Sequence, residues 1–345
     1  MIAELRAGIE SRRWTEWLPH ERVLADELKV SRGSLRAALA TLRADGWVES
    51  RRGQGTRLVL RAGAAVESHA KGKTVCLLSP GDLVTSRPIR LLDASGLRGE
   101  LAEQGVNFRL IEQRRCYGAR PEPALAAQFA KERADCWIVR LATERMQRWL
   151  AAHAPQTILA GTPFPGINLA CVDTDHAAIA RHATGRLLAA GHTRLALLID
   201  GESKAGDLET ERGFCEAAAG RAMGRIEHLT PGTPAVARTV TRLLDAKEPV
   251  TGLLVSQPTT YLTVIGVLGA RRLRVPQDVS LIALRDDALF SFLTPEPTTY
   301  RAGTVRYTRL MLAQIRRCLD GAAPPRARLL LPHFVRGASV ARLRA

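Results

Sequence analysis

The chain is predicted to be α/β, with a small helix-and-hairpin module at the N-terminus followed by doubly wound parallel sheets in two lobes. Three observations predict this. Residues 18–60 run helix, turn, helix, hairpin in their apolar pattern. From Lys73 onward, short apolar runs alternate with amphipathic stretches of helical length, the rhythm of a parallel sheet with crossover helices. Between them, residues 61–72 (RAGAAVESHAKG) carry small and polar side chains with neither period, and read as a linker. The expected division is therefore 1–60, a linker at 61–72, and 73–345.

In the first module, Leu24, Ala25 and Leu28 form an apolar stripe over Glu21–Leu28. After a short turn, Ser31 is placed to cap a second helix through its hydroxyl. Leu35, Leu39 and Leu42, at i, i+4 and i+7, turn that helix toward a core. Arg32 and Arg36 are four apart and share a different face. Asp45-Gly46 ends the helix. Residues 47–51 and 56–60 then flank Arg52-Gly53-Gln54-Gly55, the pattern of a hairpin. A further helix is expected over Ile2–Arg13, so close to Met1 that a start upstream is expected.

This order is that of a winged helix, whose second helix enters the major groove of DNA while the wing meets the backbone or minor groove. Arginine suits that task because its planar fork bonds a guanine edge or clamps a phosphate. On an isolated helix, Arg32 and Arg36 would mark only a solvated face. It is the ordered combination of elements that points to DNA.

Four segments here carry a resemblance: Leu18-Pro19-x-Glu21-Arg22-x-Leu24-Ala25; Val30-Ser31-Arg32-x-x-Leu35-Arg36-x-Ala38-Leu39; Leu42 with Gly46-Trp47; and Arg52-Gly53-x-Gly55-Thr56. Over residues 2–60 the chain resembles the GntR family. The resemblance implies DNA contacts at Arg22, Ser31, Arg32, Ser34 and Arg36, with Gly53 and Gln54 at the wing tip. Lys29 stands where that family usually has glycine.

The net charge is +16, yet residues 1–60 hold 11 basic and 8 acidic residues, so the excess lies mostly outside the DNA module. Only six of the 50 basic residues are lysine, an arginine bias spread along the chain that strengthens salt-sensitive attraction to DNA. Six scattered cysteines without a CxxC pair read as buried apolar side chains in a reducing compartment, not as a disulfide framework or structural metal site. No run of about 18 apolar residues and no signal peptide is present, so a cytoplasmic protein is expected.

Beyond the linker, Thr74–Pro80 reads as a buried strand and Ile89–Gln104 as a helix. Strands follow at Asn107–Glu112, Cys136–Val139, Thr157–Leu159, Arg194–Leu198, Gly252–Val255 and Ser280–Leu284. Helices are expected at Pro123–Glu132, Thr143–His153, Ala177–Ala190, Leu208–Ala219, Pro234–Ala246 and Thr260–Arg272. About 270 residues is long for one such sheet, and two lobes around a cleft is the natural division.

A second resemblance rests on Val172-Asp173-x-Asp175, on Leu187-Leu188-Ala189-Ala190-Gly191-His192-Thr193-Arg194, on Val275-Pro276-Gln277-Asp278-Val279-Ser280 and on Leu331-Pro332-x-x-Val335-Arg336-x-x-Ser339. Over residues 73–340 these look like the effector domain of the LacI/GalR repressors. The resemblance implies a periplasmic-binding-protein-like fold whose two lobes close on a small ligand, usually a sugar. His192 falls in a scaffold turn and reads as structural.

At the ligand positions the sequence departs from that pattern. Arg285 stands where the family usually has an aspartate, Thr210 where it has arginine, and Gln257-Pro258 where it has Asn-Asp. Arginine prefers carboxylate or phosphate, so an acidic or heavily hydroxylated effector is expected, a sugar or sugar acid. Pairing of Arg285 with Glu209, Glu211 or Asp287 is the competing expectation. Ser79, Asp82 and Arg140 follow apolar strands and are further candidates, because open α/β sheets bind ligands at strand carboxyl ends. The cluster Asp173-x-Asp175-His176 is too small a donor set to read as a metal site.

No Gly-x-Ser-x-Gly elbow, Walker loop, His-Glu-x-x-His or dinucleotide fingerprint occurs. Pyridoxal phosphate, carried by some GntR-type chains, would need a Schiff-base lysine, and Lys131, Lys204 and Lys247 lack that setting. A transport-type binding protein conflicts with the missing signal peptide. The sequence thus points to a non-enzymatic, cofactor-free regulator, a repressor of carbohydrate-related genes. It would act as a homodimer on a near-palindromic operator.

Overall fold

The computed structural model describes residues 5, 14, 17–28, 30–44, 48–51, 55–58, 72–81, 94–201, 204–230, 232–323 and 327–343. The chain divides into two compact units, Met1–Ala70 and Lys71–Ala345.

In the first unit, α1 spans Glu21–Glu27 and α2 spans Arg32–Ala44. Ser31 caps α2, its Oγ accepting the Ser34 N–H at 3.1 Å. The leucine stripe does what its spacing requires: Leu24, Leu35, Leu39 and Leu42 are buried together with Leu5, Trp14, Leu18 and Val48. The wing is an antiparallel pair, β1 (Val48–Arg51) with β2 (Gly55–Leu58), in register Val48 to Leu58. Leu18 N–H donates to the Thr56 carbonyl at 2.9 Å, tying the wing to the segment ahead of α1. Of the expected Ile2–Arg13 helix only Leu5 is described, helical and buried; Lys29, Asp45 to Trp47, the wing tip and the linker lie outside the described residues.

The second unit holds two parallel sheets. The six-stranded sheet comprises β3 (Thr74–Ser79), β4 (Asn107–Glu112), β5 (Cys136–Arg140), β6 (Ile158–Ala160), β7 (Ala170–Thr174) and β13 (Ala327–Leu330), in order β13-β7-β6-β5-β3-β4. Its helices are α3 (Ala94–Glu103), α4 (Glu122–Lys131), α5 (Glu144–His153) and α10 (Thr304–Leu319). Alternate strand residues face opposite layers. Val75, Leu77 and Ile138 pack on Leu97, Leu101, Tyr307, Met311 and Ile315. Cys76, Leu78, Trp137 and Val139 pack on Leu125, Met146 and Leu150.

The four-stranded sheet has β8 (Arg194–Asp200), β9 (Met223–Leu229), β10 (Gly252–Val255) and β11 (Ser280–Ala283), in order β11-β10-β8-β9. On one face lie α8 (Thr233–Leu244) and α9 (Pro258–Ala270), through Val236, Val240, Tyr261 and Val264. On the other lie α6 (His176–Ala189) and α7 (Ala205–Ala218), through Ile179, Ala183, Leu187 and Phe214. A short antiparallel pair, β12 (Thr299–Arg301) with β14 (His333–Val335), adjoins β11, where Ala283 N–H donates to the Thr298 carbonyl at 3.0 Å. Gly191 takes φ +89° just past α6, a left-handed turn that feeds the chain into β8.

The expected alternation is found, two strands with unchanged limits and most other ends moved by one or two residues. α7 starts three residues earlier than expected, at Ala205, and residues 89–93 of the first expected helix lie outside the described residues. β7, β9, β12, β13, β14 and α10 are additions to it. β9 and β13 are edge strands with exposed polar residues, so neither shows a buried apolar run. Five cysteines are buried, as expected; Cys215 is the correction, exposed on α7.

The chain crosses between the sheets three times. After β7, Asp175 caps α6 by accepting the Ala178 N–H at 2.8 Å, and α6 packs on the four-stranded sheet. After β11 and β12, α10 returns to pack on the six-stranded sheet. After β13, the chain enters β14 and reaches Ser339, whose carbonyl accepts from Leu281 N–H at 2.8 Å. Each crossing leaves from strand carboxyl ends. The carboxyl edges of both sheets therefore lie on the side where the chain passes between them.

Candidate functional site

On the first unit, the start of α2 forms an exposed polar face. Ser31, Arg32, Ser34 and Arg36 are all solvent-exposed, as is Arg22 on α1. Leu35 and Leu39 anchor the opposite face, which fixes how far this polar face stands from the core. Ser31 and Ser34 share a hydroxyl–hydroxyl bond at 2.8 Å in addition to the cap. Arg36 Nε donates to Glu21 Oε2 at 2.7 Å, bridging α2 to the start of α1. Gly53 and Gln54 lie outside the described residues.

On the second unit, Ser79, Arg140 and Arg285 stand at or just past strand carboxyl ends. Arg140 is the last residue of β5, only 7% exposed, and has no hydrogen-bond or ion-pair acceptor for its guanidinium among the described residues. Burial draws its pKa below the usual range, opposed by the nearby Tyr117 and Tyr307. The Tyr117 hydroxyl lies 2.8 Å from the Arg140 carbonyl and 3.0 Å from that of Leu78, holding the ends of β5 and β3 together. The Tyr307 hydroxyl donates to the Val172 carbonyl at 2.8 Å.

From the other lobe, Arg285 follows β11 and is half-buried. None of the carboxylates that could have neutralised it pairs with it. Glu209 pairs with Arg212, Glu211 faces His228 at 3.6 Å, and Asp287 accepts the Leu289 N–H at 2.9 Å. Asp286 binds Arg301. The internal pairing expected as the alternative for Arg285 is thus not formed. Gln257 and Arg285 each lie two residues past the last paired positions of β10 and β11, Val255 and Ala283.

The remaining candidates are more enclosed. Thr210 is buried on α7, and its hydroxyl donates to the Gly206 carbonyl at 2.8 Å within the helix. Ser79 is fully buried at the end of β3 and donates to the Gly81 carbonyl at 3.2 Å. Asp82 lies outside the described residues.

At the first crossing, Asp173 Oδ2 accepts from Thr162 Oγ1 at 2.6 Å and meets His176 Nε2 at 3.2 Å. Burial works to raise the Asp173 pKa, but His176 and the bonds from Thr162 and Thr174 hold it below the ordinary value. Asp175 is spent on the α6 cap, so this acidic run is a crossing-point lock.

Sequence reasoning passed over Tyr117, Tyr307 and Ser256. Ser256 directly follows β10 and has a buried hydroxyl with no partner among the described residues. Its position directly before Gln257 was the available signal. Nothing local marks the two tyrosines, because their sheet contacts are to Leu78, Arg140 and Val172, far along the chain.

Residues 1–58 match bacterial regulatory proteins of the gntR family, and residues 184–340 match the periplasmic binding protein-like domain. No curated protein matches the sequence significantly. Among solved structures, a LacI family transcriptional regulator from Bifidobacterium animalis subsp. lactis is similar at TM-score 0.66 and 19% identity, over 79% of this chain and 98% of that one. A LacI family transcriptional regulator from Enterococcus faecalis with bound ribose gives 0.63 and 14%, over 79% and 100%. A sugar-binding transcriptional regulator of the LacI family from Escherichia coli, complexed with phosphate, gives 0.65 and 19%, over 78% and 98%. At these identities the likeness establishes the shared fold.

Proposed function

Because this chain is a transcription regulator that joins a gntR-type DNA-binding domain to a periplasmic-binding-protein-like domain, we propose that it represses carbohydrate-related genes in response to a small molecule held between its two lobes. Arg22, Arg32 and Arg36, with Ser31 and Ser34, meet the operator, and Gly53 and Gln54 at the wing tip reach the neighbouring backbone. Arg140, Arg285, Gln257, Thr210, Ser79 and Asp82 line the effector cleft. A homodimer presents two recognition helices to a near-palindromic site. Lobe closure on the effector changes how the residues joining the two units are held, and the affinities for effector and DNA are reciprocally coupled.

The observation that carries this reading is the joining, in one chain, of an exposed arginine-bearing helix start to strand ends with unspent polar groups. The test is a gel shift of the full chain on promoter DNA from its neighbouring genes, repeated with a panel of sugars and sugar acids. A retarded band that one compound releases is expected. No specific band on any neighbouring promoter would overturn the reading.

A further inference from the structure

We propose that the cleft is an oxyanion site, and that the effector carries a carboxylate or phosphate held by Arg140, with Arg285 closing on it from the opposite lobe. This deepens the effector reading above and rests on it.

A guanidinium offers five N–H donors and no acceptor, and a buried one is costly unless an anion or several acceptors meet it. Arg140 is more than nine-tenths buried, and no described residue supplies either. The carboxylate two strands away, Asp173, is already taken by Thr162 and His176. The hydroxyl of Tyr307, whose ring lies among the same packed residues, is spent on Val172.

Arg140 also stands at a strand carboxyl end, where open α/β sheets take their ligands. It ends β5 at the carboxyl edge of the six-stranded sheet, and Arg285 follows β11 at the carboxyl edge of the four-stranded sheet. The three crossings join those edges. α6 and α9 begin at the same edges, so their positive ends add to the field.

Neutral sugar hydroxyls could accept N–H bonds from Arg140 but would leave its charge uncompensated. An oxyanion satisfies both requirements at once, with the stronger charge-assisted bonds. The partnerless Ser256 hydroxyl and Gln257, which follow β10 at the same sheet edge as Arg285, suit hydroxyls on the rest of the molecule. The chemistry specified is a hydroxylated skeleton carrying one oxyanion.

The test uses the full chain and Arg140→Met, which keeps the volume and removes the charge. Melting temperatures are measured in chloride and in inorganic phosphate or gluconate at matched ionic strength, and binding of gluconate, glucose 6-phosphate and glucose by calorimetry. Phosphate or gluconate is expected to raise the wild-type melting temperature by about 3 °C or more and to leave Arg140→Met unmoved. In chloride, the variant is expected to melt above the wild type, because an uncompensated buried cation has gone. Gluconate against glucose 6-phosphate distinguishes a carboxylate from a phosphate source, the preferred one weakening roughly 100-fold in the variant.

The proposal is overturned if neither oxyanion stabilises the wild type more than Arg140→Met. Glucose binding equally to both proteins and releasing operator DNA would also overturn it, while the effector reading stood. Oxyanion binding that depends on Arg140 but leaves operator affinity unchanged would support the site and overturn the effector reading.

Discussion

His192 Nε2 donates to the carbonyl of Ala341 at 3.0 Å, a contact across 149 residues that pins the C-terminal segment beneath the start of β8. The same ring accepts the Thr251 hydroxyl at Nδ1, also at 3.0 Å, so the neutral imidazole is satisfied on both sides. Burial pushes its pKa below the usual 6.5. His182 is shifted the same way, by burial and by Arg186.

The pH dependence follows. A histidine with a depressed native pKa takes its proton first in the unfolded chain, so acid favours unfolding. Stability should be level above about pH 7 and fall as pH drops below about 6.5. Thermal unfolding between pH 5 and 8 checks this, and His192→Asn should flatten part of the slope. An unchanged slope in that variant would assign the titration to other groups.

Ser339 closes a second long-range link. Fully buried, it accepts the Thr298 N–H at 2.8 Å and donates to the Leu281 carbonyl at 2.7 Å. Ser339→Ala would orphan both, costing about 1–3 kcal/mol. Urea unfolding should show a midpoint shift with little change in slope.

Two glycines make opposite predictions. A Cβ on Gly213 would lie 2.2 Å from the Ala177 carbonyl oxygen, so α6 and α7 would have to separate. Gly213→Ala should destabilise by about 1–3 kcal/mol despite its better helix propensity. A Cβ on Gly99, exposed on α3, meets nothing within 4 Å, and Gly99→Ala should stabilise by up to about 1 kcal/mol. Paired melting curves test both signs.

On the face proposed to meet DNA, Arg36 and Glu21 form an exposed pair, their side chains 69% and 41% accessible. Such a pair adds about 0–1 kcal/mol. Arg36→Ala should therefore melt close to the wild type yet lose about 1–3 kcal/mol of operator binding, with effector affinity intact. Fluorescence anisotropy on operator DNA would show it. Wild-type operator affinity in that variant would remove Arg36 from the interface.

Much of the fold was legible because its signals are local. The leucine spacing of α2, the Ser31 cap and the apolar runs of β3, β5, β8 and β10 can be read from neighbouring residues. α10 was legible as well, with Tyr307, Met311, Leu312 and Ile315 at helical spacing, but it lies beyond the regular alternation. β9 was not, since an edge strand paired only to β8 needs no apolar run.

By itself, then, the sequence determined the winged module, the alternating sheets and the departures at Thr210, Gln257 and Arg285, all set by periodicity, capping and local side-chain chemistry. Tertiary structure alone decided what those departures leave unspent. It left Arg285 unpaired with Glu209, Glu211 and Asp287, buried Arg140 without an acceptor among the described residues, and turned Thr210 back on its own helix. The physical reason is that charge compensation depends on distance in space, and the crossings between sheets bring together residues that no sequence window contains.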